Sequence, residues 1–383
     1  MKKHTERGTG SIRQLANGRW RAEIRINGGR LSHYSERQQD CRDWIRKIQG
    51  QVDQGLSYDD ERITLGTFME GWLGNKKLQV RMATFEQYSS IVKTYLQPNL
   101  GRIRLRDLSS GQVQDYYDQL STSGKGTRTI RLAHIVLHGC LEQAKRLGLI
   151  HRNPTEFCAL PRQGEKDIQI WNEDQVAQFL NFIRGHKNEH FYYLALGTGM
   201  RRGELLGLQW KDINWSKSQI LVRRECFHPA GGGFVFQSPK TKLGKRSIQL
   251  GQGVVEHLRA QLQLIDLERK MARDAWQDND LVFPSMVGTP IGADRISHEF
   301  PALTKLAGLP VIRFHDCRHT AASIMLSHGI PPVIVAGMLG HSLSILMTTY
   351  AHYIPGSQDE AARVMDDILS PIPINIKQFK PNS

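Results

Sequence analysis

The sequence predicts a multidomain α+β protein: a small three-stranded sheet plus helix (1–58), an all-α helical bundle (59–162), and a mainly α domain with a small antiparallel sheet (163–383). Three observations lead there. Asn-Gly pairs at 17–18 and 27–28 separate short alternating runs. The middle region carries apolar residues at helical spacing, and a polar linker then precedes helices that alternate with short strands.

In the first segment GSIRQL, WRAEIRI and RLSHYS are the strands. Trp20, Ala22, Ile24 and Ile26 fall on one face of the middle strand, and Arg21, Glu23 and Arg25 on the other. A helix over 36–51 sets Cys41, Trp44, Ile45 and Ile48 against the apolar face. The open face, led by Arg21 and Arg25, suits a DNA groove in the manner of β-ribbon readers, although a merely solvated face gives the same pattern.

The middle segment contains LGTFMEGWL, TFEQYSSIVKTYLQPNLG, SSGQVQDYYDQL and GTRTIRLAHIVLHGCLEQAKRLGLI, each apolar at i, i+3 and i+4. Thr84 and Ser110 are expected N-caps, and Pro98, Gly101 and Pro154 are expected to mark helix ends. Lys93, Arg102, Arg104, Arg106, Lys145 and Arg146 recur on these helices, as do Lys125, Arg128 and Arg131. They form a candidate DNA face, with a solvated surface as the alternative. After the linker NPTEFCALPRQGEKD, Asn172 and Gln175 predict a capping box, strands are expected around 219–250, and helices close the chain to about 369.

Composition narrows the function. Lys and Arg total 51 against 37 acidic residues, a net charge of +14 that favours a polyanion. MKKHTERGTG has no apolar run behind it, which argues against a signal peptide. IPPVIVAGML (330–339) is too short to span a bilayer. Five scattered cysteines without a CxxC pair suit a reducing cytoplasm and give no zinc signature. A cytoplasmic protein with no membrane partner is expected.

Four stretches carry chemistry: TGMRRGELLGLQW (198–210), SPKTKLGKRSIQL (238–250), HDCRH (315–319) and LGHSLSILMTTYAHY (339–353). Alone, each has an ordinary structural explanation. Together they supply the groups that attack on a phosphodiester needs. Guanidiniums fork onto phosphoryl oxygens, proton donors and acceptors serve the nucleophile and leaving group, and a phenol can form a covalent phosphoester. Such an ester conserves bond energy, so rejoining needs no ATP and no cofactor. His315, Cys317, His319 and His341 lack regular metal-ligand spacing, so no metal is expected.

In these boxes the chain resembles the tyrosine recombinase (phage integrase) family, whose pattern is Arg, Lys, His-x-x-Arg, His or Trp, then Tyr. The resemblance implies Arg201 and Arg318 as the phosphate clamp, Tyr350 as nucleophile, Lys240 as general acid, and His315 and His341 as phosphate-holding proton-transfer groups. Lys242 remains an alternative to Lys240. Glu204 would support Arg201, with a purely structural role equally open. His319 is expected to pack or cap, and Tyr353 to pack. Cys317 stands where the family usually has leucine, and Leu346 and Met347 where small hydroxyl residues are frequent. The first two segments resemble the family's arm-type and core-type DNA-binding domains.

The resemblance implies a homotetramer on double-stranded attachment sites of core and arm type, and whether an excisionase and a DNA-bending protein are further partners stays open. Residues 357–369 are a candidate docking helix for a neighbouring subunit. Two rivals stay open. RHTAASIMLSHGIPPVIVAGMLGHS has a helix-turn-helix pattern suited to a DNA-binding regulator, and a type IB topoisomerase shares the chemistry.

Overall fold

In the computed structural model the described residues are 10–26, 29–53, 62–164, 169–239, 241–353 and 358–369. The chain divides into two compact units, 1–165 and 166–383.

The first unit opens with β1 (Ser11–Gln14), β2 (Trp20–Ile26) and β3 (Gly29–Ser35), an antiparallel sheet in that order. Gly18 turns the first hairpin at φ +83°, a left-handed geometry that a side chain would strain. The second Asn-Gly pair lies outside the described residues. α1 (Gln38–Asp53) covers one sheet face, where Ala22, Ile24, Cys41, Ile45 and Ile48 form a small core. The alternation in WRAEIRI is therefore realised. On the open face Arg13 stands opposite Arg21, and Arg25 opposite Arg30.

The remaining helices of this unit are α2 (Leu65–Gln79), α3 (Met82–Ile91), α4 (Gln97–Leu100), α5 (Ser110–Thr122) and α6 (Thr127–Arg146). Their apolar faces meet in a second core that includes Met69, Trp72, Tyr117, Leu137 and Cys140. Two expected caps shift. Ser109, not Ser110, caps α5, because its extended backbone lets its hydroxyl accept from Gln112 N–H while Gln112 reciprocates. Thr84 lies inside α3, which begins two residues earlier, behind Arg81. Pro98 does not end its helix either. A π-turn over Val92–Leu96 lets Gln97 N–H reach back to Val92 O, and helical structure continues through Pro98 to Leu100.

The second unit begins with α7 (Glu173–Phe182), opened by the predicted Asn172–Gln175 box. α8 (Glu189–Thr198) and α9 (Arg202–Leu206) follow. Next comes a three-stranded antiparallel sheet of β4 (Ile213–Asn214), β5 (Gln219–Val222) and β8 (Arg246–Gln249). Within the sheet's connection, β6 (Glu225–Phe227) and β7 (Val235–Gln237) pair as a hairpin. The rest is helical: α10 (Gln252–Ala272), α11 (Ala293–Leu306), α12 (Asp316–Ser327), α13 (Pro332–Leu339), α14 (Leu343–Tyr350) and α15 (Gln358–Leu369). Interlocked rings of Trp171, Phe179, Phe191, Tyr192, Phe300 and Phe314 centre the main core. A smaller core joins α12, α13 and α14 through Ala322, Leu326, Val335, Leu339, Leu346 and Tyr350. Among the described residues no single helix is long and apolar enough to cross a membrane.

Candidate active site

Every helix ends with carbonyls that have no partner in the next turn. At the end of α13 three of them go to three arginines from separate parts of the chain. Arg246 Nε donates to Met338 O, Arg318 Nη2 to Leu339 O, and Arg201 Nη2 to Gly340 O. The negative end of a helix favours cations there, so α13 both fixes and collects the guanidiniums. Arg318 Nη1 also holds Gly199 O, at the end of α8, at 2.7 Å. Gly340 leaves α13 at φ +68°, and a Cβ at that position would stand 2.8 Å from Leu243 O. The turn sets His341 where the charges of Arg318 and Arg201 act on it.

Glu204 anchors this group from below. Its carboxylate is 1% exposed and accepts from the Arg201 backbone N–H and Nη1, each at 2.8 Å. Arg246 grips both oxygens at 2.9 Å. Burial alone would raise the Glu204 pKa, but the Arg246 and Arg201 bonds and charges hold it below the ordinary carboxylate range. Arg246 escaped the sequence reading. Its signal was alternation: on β8 it shares the inward face with buried Ile248, between exposed Ser247 and Gln249. Three guanidiniums around one carboxylate leave a positive excess that suits an anion.

Arg318 is 2% exposed, and burial, then repulsion from Arg201, draws its pKa down to about 9. Its Nε is buried without a hydrogen-bond partner, as is His341 Nδ1. Burial and the same arginine charges push His341 down to about 3. His315, just before α12, keeps an exposed surface, yet the protein around it, then His319 and Arg318, lowers it to about 4. Both imidazoles are therefore neutral near pH 7.

Tyr350 closes α14 and is 1% exposed. Burial raises its phenol pKa to about 12, against the pull of Arg318. Its hydroxyl meets His319 Nδ1 at 2.6 Å. His319 was expected to pack or cap, and it does pack on the His315 and Tyr350 rings, with the hydrogen bond to Tyr350 in addition. Residues 315 and 319 are one helical turn apart, so the box that aims His315 at the site aims His319 there too. Tyr353 lies partly buried on the α12–α14 core, and Leu346 fills that core with no exposure. Cys317 belongs to the main apolar core.

The structure thus gathers Arg201, Glu204, His315, Arg318, His341 and Tyr350. Lys240 lies outside the described residues, and of Lys242 only the backbone, in a short 3₁₀ turn, is described. The candidate DNA-contact residues divide. Arg25, Lys125 and Arg128 are exposed. Arg21 is engaged with Glu23, Ser32 and the Tyr34 ring, and Arg131 holds Pro161 O at 3.0 Å. Lys145 likewise pairs with Glu156 and Glu142.

Residues 169–355 match the phage integrase family, and residues 64–121 match the phage integrase N-terminal SAM-like domain. A tyrosine recombinase XerC-like protein of Caldanaerobacter subterraneus subsp. tengcongensis is 28% identical over 338 residues, covering 83% of this chain and 86% of its own. The ICEBs1 integrase of Bacillus subtilis (strain 168) is 22% identical over 375 residues, 94% of this chain and 100% of that protein. The fold is similar to that of the Tn1549 transposon integrase in complex with a circular intermediate DNA. The TM-score is 0.67 at 20% identity, over 80% of this chain and 99% of that one. It is also similar to a lambda integrase tetramer bound to a Holliday junction, with TM-score 0.56 at 16% identity, over 90% and 96% of the two chains.

Proposed function

The chain belongs to the tyrosine recombinase, or phage integrase, family, and on that premise we propose that Tyr350 cuts and rejoins DNA strands in site-specific recombination. Tyr350 Oη attacks the scissile phosphorus, the bond to the 5′-oxygen breaks, and a 3′-phosphotyrosine and a free 5′-hydroxyl result. Attack by a 5′-hydroxyl on that ester reverses the chemistry and releases the phenol, so no ATP is consumed. Arg201 and Arg318 hold the non-bridging oxygens, and Lys240 protonates the leaving 5′-oxygen. His315 and His341 hold the phosphate and assist proton transfer, while Glu204 positions the arginines. Loss of any one cationic group lowers the cleavage rate on the order of 10²-fold.

The observation that carries this reading is the buried, unpartnered Nε of Arg318 in the same pocket of charge as Arg201 and the Tyr350 phenol. A buried donor without an acceptor is costly, and a shift of the site that let a phosphoryl oxygen reach it would offset that cost.

The domain assignment is 1–58 for arm-type sites, 59–162 for core-type sites and 163–383 for catalysis. The separate cores of the sheet and the bundle, and the unit boundary at 165, support it. Attachment-site DNA is the partner, with a homotetramer as the working assembly, in line with the tetramer named for lambda integrase. α15, which exposes Val364, Met365, Ile368 and Leu369, would dock on a neighbouring subunit. An excisionase and a DNA-bending protein complete the partners, in the cytoplasm and nucleoid of a bacterial host.

Tyr350→Phe should bind attachment-site duplex as the wild type does and form no covalent adduct on denaturing gels. An adduct that persists in this variant and disappears in Tyr353→Phe would move the nucleophile. Strand exchange between two specific sites, without relaxation of unrelated plasmid, separates recombination from topoisomerase action.

A further inference from the structure

We propose that His319 takes the phenol proton of Tyr350 as strand cleavage begins and returns it on rejoining, a role that rests on the reading of Tyr350 as nucleophile. The phenol O–H breaks toward His319 Nδ1 as the Oη–P bond forms and the P–O5′ bond breaks. The leaving 5′-oxygen collects its proton from a different group. In the reverse step the 5′-hydroxyl attacks, and the departing phenolate recovers its proton from the His319 imidazolium.

Geometry selects this residue. Tyr350 is 1% exposed, so protein groups surround its ring. Among the described residues, the hydrogen-bond partner recorded for its hydroxyl is His319 Nδ1, at 2.6 Å. A general base must lie within hydrogen-bond reach of the proton it removes, and His319 meets that condition. His315 stands edge-on to His319 with ring centroids 5.3 Å apart, next to the proton acceptor and one step further from the phenol. The two groups are also in the correct ground state. Burial raises the phenol and lowers His319, so near neutrality the proton rests on oxygen and the imidazole accepts.

The surroundings favour transfer and return over storage. Burial lowers the His319 pKa most; Asp316 raises it, and Arg318 and Arg313 lower it further. His315, just before the same helix, and His341 and Tyr350, from the chain that follows α13, are the other titratable neighbours, and Tyr353 acts on Tyr350 in turn. Burial disfavours an imidazolium there, so the proton is given back when the phenolate departs.

The sign of the pH dependence follows. Cleavage requires neutral His319, so the rate falls as pH drops through the histidine's lowered pKa and is level above it. In His319→Ala the phenol must ionise without help, and the rate should climb about tenfold per pH unit toward the phenol pKa.

The test is single-turnover cleavage by the full chain on attachment-site duplexes with either an oxygen or a bridging 5′-sulfur at the scissile position. A thiol leaving group needs no general acid. His319→Ala should bind DNA like the wild type and cleave both duplexes at least about 10²-fold more slowly at pH 7. His319→Asn, which can accept the phenol hydrogen bond but not its proton, should be equally slow. Lys240→Ala should recover on the sulfur duplex, marking the opposite side of the reaction. Cleavage by either His319 variant within threefold of wild type overturns the proposal. So does sulfur rescue of His319→Ala, which would place the residue on the leaving group, or loss of DNA binding in both variants, which would make it structural. Tyr350→Phe run alongside keeps the premise separate: an adduct there removes the nucleophile assignment, whatever His319 does.

Discussion

Glu204 shows how one side chain can order several others. With 1% of its side chain exposed, its charge is tolerable only because Arg201 and Arg246 surround it. Replacing Arg246 with Met leaves a half-paired buried carboxylate and should cost about 3 kcal/mol of stability by urea melting, by the usual size of a broken buried pair. Because Glu204 titrates below its unfolded value, its stabilisation is full above the ordinary carboxylate pKa and is lost as pH falls through the depressed folded value. Acid titration of the melting temperature should therefore fall less steeply in Glu204→Gln than in the wild type. At this scale the motifs name Arg201, His315, Arg318, His341 and Tyr350, and the fold brings the five side chains together. Arg246 and His319 were not legible as site residues, because their partners lie on segments 42 and 31 positions away. Local pattern gives the face of a strand or helix and not what that face meets.

At the level of elements, the turn from α13 into α14 is the least forgiving piece of backbone in the site. Gly340 occupies the left-handed region, and its missing Cβ makes room for Leu243 O. Gly340→Ala should cost about 2 kcal/mol, since left-handed geometry alone costs roughly 1–2 kcal/mol for a residue with a side chain. Cleavage should fall further than DNA binding, because the displaced turn carries His341 and starts the helix that ends in Tyr350. Burst amplitude in single-turnover cleavage, set beside binding isotherms, checks this. Helix periodicity was readable throughout, and the Asn172–Gln175 box held in detail. The caps that shifted did so for local reasons. Ser109 and Ser110 are neighbours, and only the reciprocal bond from Gln112 decides between them. The π-turn before Pro98 was not read from the sequence, although one extra residue rotates the side chains that follow by roughly 100° about the helix axis.

For the whole molecule, a net charge of +14 means that binding to DNA should weaken steeply as salt rises. Deleting residues 1–58 should abolish binding to arm-type duplex while core-site cleavage survives. Equal affinity of the truncated protein for both duplexes, at fixed ionic strength, would remove the N-terminal sheet from recognition. The order of sheet, bundle and mixed segment followed from periodicity and turn chemistry. The assembly of the site did not, because it depends on the end of α13. That end also sets a clock on biosynthesis. Arg201 and its carbonyl partner Gly340 are 139 positions apart, so at roughly 5–20 residues per second a ribosome needs about 7 to 30 s to join them. Throughout that interval the first two segments already exist while the arginines lack the carbonyls that gather them. On the proposed assignment of those segments to DNA binding, a nascent or prematurely terminated chain would hold DNA without cutting it, and breakage would be reserved for the chain in which α13 is complete.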